Sequence, residues 1–197
     1  MQLLYSPASP FARKVRIVAH EVGLADRIAI SVVNPWTGDE VRAVNPLSKV
    51  PCMITDEGQP LHDSRVICEY LDALGGGGLF PTGEARWRAL TMQSLADGMG
   101  DAAVRAVVEG RRPDGERHDD EIERQMKAIT TGLDSLEKDG SAAGAFHIGE
   151  IAVAAQLGYF DFRGVIDWRA GRPGLAAWYQ GIARRDSMVA TEPVQIA

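Results

Sequence analysis

Cysteine is scarce in this chain. Cys52 and Cys68 are the only two in 197 residues, and neither stands in a CxxC pair or beside a histidine at zinc-ligand spacing. A disulfide framework and a structural metal site are therefore not expected, and a reducing, cytoplasmic setting fits best. The four histidines, His20, His62, His118 and His147, form no H-x-x-x-H pair, so no metal is expected at a catalytic centre either. Positive charge is in deficit: 21 Lys and Arg stand against 27 Asp and Glu, a formal net charge of -6. Such a field repels phosphate backbones, so nucleic acid is not an expected partner. No apolar run is long enough to cross a bilayer, and Met1 to Tyr5 leads into Ser6-Pro7 without a charged and apolar leader, so neither membrane insertion nor export is expected.

What is there reads as ordinary globular sequence, 45% hydrophobic and 24% charged, long enough for one domain or two small ones. Gln2 to Tyr5 reads as a short buried strand. Pro10 to Val22 puts Phe11, Val15, Val18 and Val22 on one helical face, and Gly23 follows as a stop signal. Arg27 to Val33 supplies a second strand, completing a βαβ unit. Asn34 to Lys49 reads as a polar loop. Cys52 to Thr55 and Gln59 to His62 flank the turn signal Asp56-Glu57-Gly58, which predicts a hairpin with Pro60 on an edge strand. Ser64 is the expected N-cap of a helix carrying Val66, Ile67, Tyr70, Leu71 and Leu74. Glycines 75 to 78, with Pro81 and Gly83, mark a linker over 77–84, between an α/β domain over 1–76 and an all-α domain over 85–197. Helices are expected over 85–108, 119–136, 148–165 and 173–184. The charged stretch from Asp114 to Glu123 reads as a solvated loop and helix start.

Three features of the first half carry chemistry. Ser9-Pro10-Phe11 sits at the passage from the first strand to the first helix, the end of a parallel strand where ligands bind. A hydroxyl there, with free backbone N–H groups and the helix dipole, suits an anion such as a thiolate, although Ser9 also fits a plain N-cap with Pro10 at the first helical position. Val50-Pro51 precedes the third strand. Asp63-Ser64 opens the next helix, where Ser64 and the amides suit a carboxylate and Asp63 suits an ammonium group. Tyr5, Ser6 and Arg13 are auxiliary candidates: Tyr5 competes with a packing role, Ser6 is a reserve hydroxyl, and Arg13 competes with a solvated basic face that includes Lys14 and Arg16.

Three segments, Ser9-Pro10-Phe11-Ala12-Arg13-Lys14-Val15, Asn45-Pro46-Leu47-Ser48-Lys49-Val50-Pro51 and Asp63-Ser64-Arg65-Val66-Ile67-Cys68-Glu69-Tyr70-Leu71, resemble the glutathione transferase superfamily in order and spacing. The chain is particularly similar to bacterial members with Ala96-Asp97-Gly98 and Gly158-Tyr159-Phe160 in their helices. The resemblance implies a thioredoxin-like α/β domain plus an all-α helical domain. It implies glutathione as co-substrate, with Ser9 activating the thiol, Val50 before a cis Pro51 pairing with the cysteinyl backbone, Asp63 and Ser64 holding the γ-glutamyl end, and Lys49 near a carboxylate. A hydrophobic electrophilic small molecule as second substrate, a detoxifying role and a homodimer come with it.

Two positions depart from the family pattern. Asp63 replaces the more usual glutamate, and His147-Ile148-Gly149-Glu150 stands where a Ser/Thr-x-x-Asp capping box is usual. Ser9 and Ala12 occupy the positions of the cysteines in a dithiol redox motif, which disfavours glutathione-dependent reduction. Cys52 and Cys68 read as buried hydrophobes. A non-catalytic glutathione-binding or protein-interaction module of the same fold stands as the alternative to an enzyme.

Overall fold

Leu3, Leu4 and Tyr5 are all buried, as suits a central strand covered on both faces. In the computed structural model, which describes residues 1–140 and 145–194, this strand β1 (Gln2–Tyr5) leads into α1 (Pro10–Glu21). β1 pairs in parallel with β2 (Ala29–Val32) and antiparallel with β3 (Cys52–Ile54), which pairs antiparallel with β4 (Pro60–His62). The sheet order is β2-β1-β3-β4. The expected hairpin is present, with Gly58 at a φ of 80° in its turn and Pro60 on the edge strand.

Register decides where the chain ends gather. Leu4 faces Cys52, and Cys52 faces His62, so one row crosses β1, β3 and β4. The chain leaves β1 at that row towards Ser9, enters β3 there from Val50, and leaves β4 there towards Asp63.

α1 and α3 (Ser64–Leu74) pack on each other. Val15, Ile17, Val18, Ile67 and Leu71 are fully buried, and each such side chain is worth about 1.5–3 kcal/mol of burial. The packed face of α1 is wider than its sequence spacing implies, because Arg13 and Lys14 are buried while Phe11 and Val22 are only partly so. Gly75, just past α3, comes so close to α1 that a Cβ there would lie 2.6 Å from the Cβ of Val22. That approach requires glycine.

Two local expectations are corrected. The stretch read as a polar loop contains α2 (Asp39–Val44), whose Asp39 and Glu40 complement the positive end of the helix while the buried Val41 pins it. The N-cap of α3 is Asp63, not Ser64: its carboxylate accepts from the Arg65 N–H at 2.9 Å, and Ser64 becomes the first helical residue.

The structure divides into two compact units. The first covers Met1–Arg86 and resumes at Arg185; the second is Trp87–Arg184. Beyond the glycine-rich segment the described elements are all helical: α4 (Glu84–Glu109), α5 (Asp119–Asp139), α6 (Ile148–Arg163), α7 (Pro173–Ile182) and the short α8 (Asp186–Val189). α6 is buried at every position from Ile148 to Phe160, so it forms the centre of the second unit. Its small residues allow close packing, and a Cβ on Gly149 would lie 2.9 Å from the Ala89 carbonyl. Glu150 reaches back to accept from the His147 N–H at 3.2 Å within a His147–Glu150 capping box, and burial pushes its carboxyl pKa up.

Candidate functional site

Ser9 follows β1, Val50 precedes β3 and Asp63 follows β4 at one common end of the sheet, all within the first unit. Ser9 is the N-cap of α1, with its Oγ accepting from the Ala12 N–H at 3.2 Å and Pro10 at the first helical position. The cap uses an acceptor lone pair. The hydroxyl proton remains available to donate to an anion, so the capping role and the anion-binding role do not compete.

The Val50-Pro51 bond is cis, and Pro51 is buried. Val50 lies two residues before Cys52, the first paired residue of β3, and so outside the strand ladder. The approach to it is braced by Asn45, which is buried. Asn45 donates from Nδ2 to the Lys49 carbonyl at 3.0 Å and accepts at Oδ1 from the Leu47 N–H at 3.0 Å. The Cys52 thiol also donates to the Lys49 carbonyl, at 2.9 Å. Ser48 adopts a φ of 52°, and its Oγ donates to the Pro35 carbonyl at 3.1 Å. Sequence reasoning did not single out Asn45; its signal was its place inside the Asn45-to-Pro51 motif.

Asp63 adopts a φ of 71° and ψ of 124°, a left-handed backbone that non-glycine residues rarely take. Such a conformation costs about 1–3 kcal/mol and persists where function or surrounding contacts hold it. Asp63 is exposed and Ser64 buried at the adjoining helix start. Because one carboxylate lone pair of Asp63 is taken by the cap, the remaining ones are left for a ligand.

The auxiliary candidates separate. Tyr5 is buried beneath the Arg16 guanidinium, 5.3 Å from its ring centroid, which is a packing arrangement. Ser6 accepts the Ser9 N–H through its carbonyl at 2.9 Å, a backbone role. Lys49 is exposed. Arg13 is not part of a solvated basic face, since only 5% of it is exposed and its Nη2 donates to the Met188 carbonyl at 3.3 Å.

Burial pushes the Cys52 thiol up, despite the hydrogen bond with Asn45 that lowers it, and so disfavours its thiolate. Among the described residues no cluster of His, Cys, Asp or Glu is placed to hold a metal ion, and no helix is long and apolar enough to cross a membrane. The second unit has an apolar groove of about 680 Å³ along α4 and α5, lined by Trp87, Leu90, Leu95 and Met99 among others. Its polar lining residues are Thr91 and Ser94.

Residues 8–74 match the family described as "Glutathione S-transferase, N-terminal domain", and residues 119–181 match "Glutathione S-transferase, C-terminal domain". The chain is 34% identical to the "Uncharacterized GST-like protein YibF" of Escherichia coli strain K12, over 98% of each chain. It is similar to a crystallised glutathione transferase family member from Pseudomonas fluorescens Pf-5 with bound glutathione, at 40% identity and a TM-score of 0.94, covering 98% of this chain and 99% of that one. A glutathione S-transferase from Methylobacillus flagellatus KT, solved with glutathione bound, gives 38% identity and a TM-score of 0.88, with 98% and 99% covered.

Proposed function

The chain belongs to the glutathione transferase superfamily, and on that premise we propose that it binds glutathione across the end of the sheet and activates its thiol for attack on an apolar electrophile. The observation that carries this reading is the register row Leu4, Cys52 and His62. Neighbouring strands lie about 4.8 Å apart, so the three strands span about 10 Å, and three extended residues span about 10 Å as well. A tripeptide laid across the row has one chain end to meet at each strand.

In this reading the sulfur lies at Ser9, where the hydroxyl proton and the α1 amides favour the thiolate. The cysteinyl backbone pairs with Val50 beside the cis Pro51. The γ-glutamyl carboxylate takes Ser64 and the α3 amides, its ammonium group takes Asp63, and Lys49 serves the far carboxylate. The thiol proton passes to solvent. The sulfur then forms a bond to the electrophilic carbon, which expels its leaving group with the bonding pair or, in an addition, passes its π electrons to the neighbouring atom, which takes a proton from solvent. The α/β half, 1–76, is assigned to glutathione; the helical half, 85–197, beyond the 77–84 linker, is assigned to recognition of the acceptor. A two-fold dimer acting in the cytoplasm completes the reading, that symmetry being the commonest closed one.

A panel of apolar electrophiles with glutathione tests it: turnover above the uncatalysed rate supports an enzyme, whereas binding without turnover across the panel leaves the non-catalytic module. Ser64→Ala is expected to weaken glutathione about tenfold or more in calorimetry, since a hydrogen bond to a charged group is worth about 1.5–3 kcal/mol. Unchanged affinity in that variant would remove Ser64 from the carboxylate site.

A further inference from the structure

A peptide unit is planar, so fixing the carbonyl of one residue also fixes the N–H of the next. The peptide joining Lys49 to Val50 is trans, the cis bond of this segment lying one residue later, between Val50 and Pro51. The Lys49 C=O and the Val50 N–H therefore point in opposite directions. Whatever holds that carbonyl decides where the Val50 N–H is aimed.

Two buried donors hold it. Asn45 Nδ2 donates to the Lys49 carbonyl at 3.0 Å and the Cys52 thiol donates to it at 2.9 Å, which occupies both lone pairs of the oxygen. Asn45 is 2% exposed and Cys52 is fully buried. Asn45 is itself fixed at every polar group: its N–H donates to the Val41 carbonyl at 2.8 Å, its carbonyl accepts from the Ser48 N–H at 2.8 Å, and its Oδ1 accepts from the Leu47 N–H. Cys52 is fixed by the sheet, as the partner of Leu4 on one side and His62 on the other. It belongs to the apolar cluster of Leu4, Val33 and Val41, against which the Val50 side chain also packs. The Lys49 carbonyl thus points into the packed interior, and the Val50 N–H points away from it. Among the described residues neither the N–H nor the C=O of Val50 has a hydrogen-bond partner. An open donor and acceptor on one residue are what an extended peptide needs for pairing. Burial, which pushes the Cys52 thiol up, keeps the proton on sulfur and so keeps the donor.

We propose that Asn45 and Cys52 are positioning residues for glutathione: together they clamp the Lys49 carbonyl and so aim the Val50 N–H at the cysteinyl carbonyl of the ligand. This rests on the glutathione reading above and deepens it, giving Cys52 a polar task that its place among apolar side chains conceals. Both act through Val50 and neither reaches the sulfur, so binding of the tripeptide backbone depends on them while activation of the thiol does not.

The test compares wild type with Asn45→Ala, Cys52→Ala and Cys52→Ser, by calorimetry of glutathione and S-methylglutathione and by NMR of the Val50 amide. Alanine and serine are close in size, so the two Cys52 variants differ chiefly in the donor. Cys52→Ala is expected to weaken both ligands by the same factor, about threefold, and Cys52→Ser to recover most of it; Asn45→Ala is expected to weaken both about tenfold. The thiol pKa of bound glutathione should stay at its wild-type value in all three. In wild type the Val50 amide proton is expected to move downfield when either ligand binds, less so in Cys52→Ala and again fully in Cys52→Ser, a pattern that lost stability alone does not produce. No loss of affinity with alanine, or equal loss with alanine and serine, overturns the role of Cys52; unchanged affinity in Asn45→Ala overturns that of Asn45. A Val50 amide that stays in place while wild type binds glutathione overturns the aiming itself, a result that needs no variant. Failure of the wild type to bind either ligand would overturn the glutathione reading instead.

Discussion

Replacing Ser9 by alanine is expected to lower the conjugation rate by about a hundred- to a thousandfold, the usual consequence of losing a donor aimed at developing negative charge. Affinity for S-methylglutathione, which has no thiol to ionise, should change little. The loss divides between two roles. Alanine also removes the acceptor of the Ala12 N–H, and a lost N-cap costs about 1 kcal/mol of stability. Ser9→Asp separates them, because aspartate caps a helix as well as serine but brings negative charge to the sulfur's place. Its stability should match wild type while its conjugation rate falls at least as far as that of the alanine variant. Steady-state kinetics beside thermal denaturation of both variants checks this. Conjugation by Ser9→Asp at the wild-type rate would show that Ser9 only begins a helix.

Replacing Trp168 by alanine is expected to cost about 3–5 kcal/mol, the range for truncating a large buried aromatic. Trp168 is fully buried in the core of the second unit, which it shares with Ile129, Leu133, Leu157 and Phe160. Its ring meets Tyr179 edge-on with centroids 5.2 Å apart, and its Nε1 donates to Asp161 at 2.9 Å. Arg169 grips the same Asp161 through two hydrogen bonds and stacks over the indole at 4.0 Å. The alanine therefore opens a cavity and strips a cation from its stacking face at once. Chemical denaturation should show the loss; a change under about 1 kcal/mol would mean that the helices close over the space.

Much of this was legible in the sequence because it rests on short-range signals. The Asp56-Glu57-Gly58 turn located the hairpin, whose register sets Cys52 opposite His62, whereas the pairing of Leu4 with Cys52 joins strands far apart in the chain and has no local signal. What sequence missed depends on backbone detail or distant partners. α2 is six residues long, too short for apolar periodicity to rise above its polar surroundings. Asp63 and Ser64 are both good caps by type, and only the left-handed backbone at Asp63 decides between them. The burial of Arg13 was not legible, since the carbonyl that receives it lies 175 residues away in the chain.

A crystal structure of the chain with glutathione tests the central claim most directly. The account predicts the sulfur about 3 Å from the Ser9 Oγ, the cysteinyl backbone paired with Val50, and the γ-glutamyl carboxylate on Ser64. Glutathione bound elsewhere, or lying on the sheet end with its sulfur turned away from α1, would contradict it.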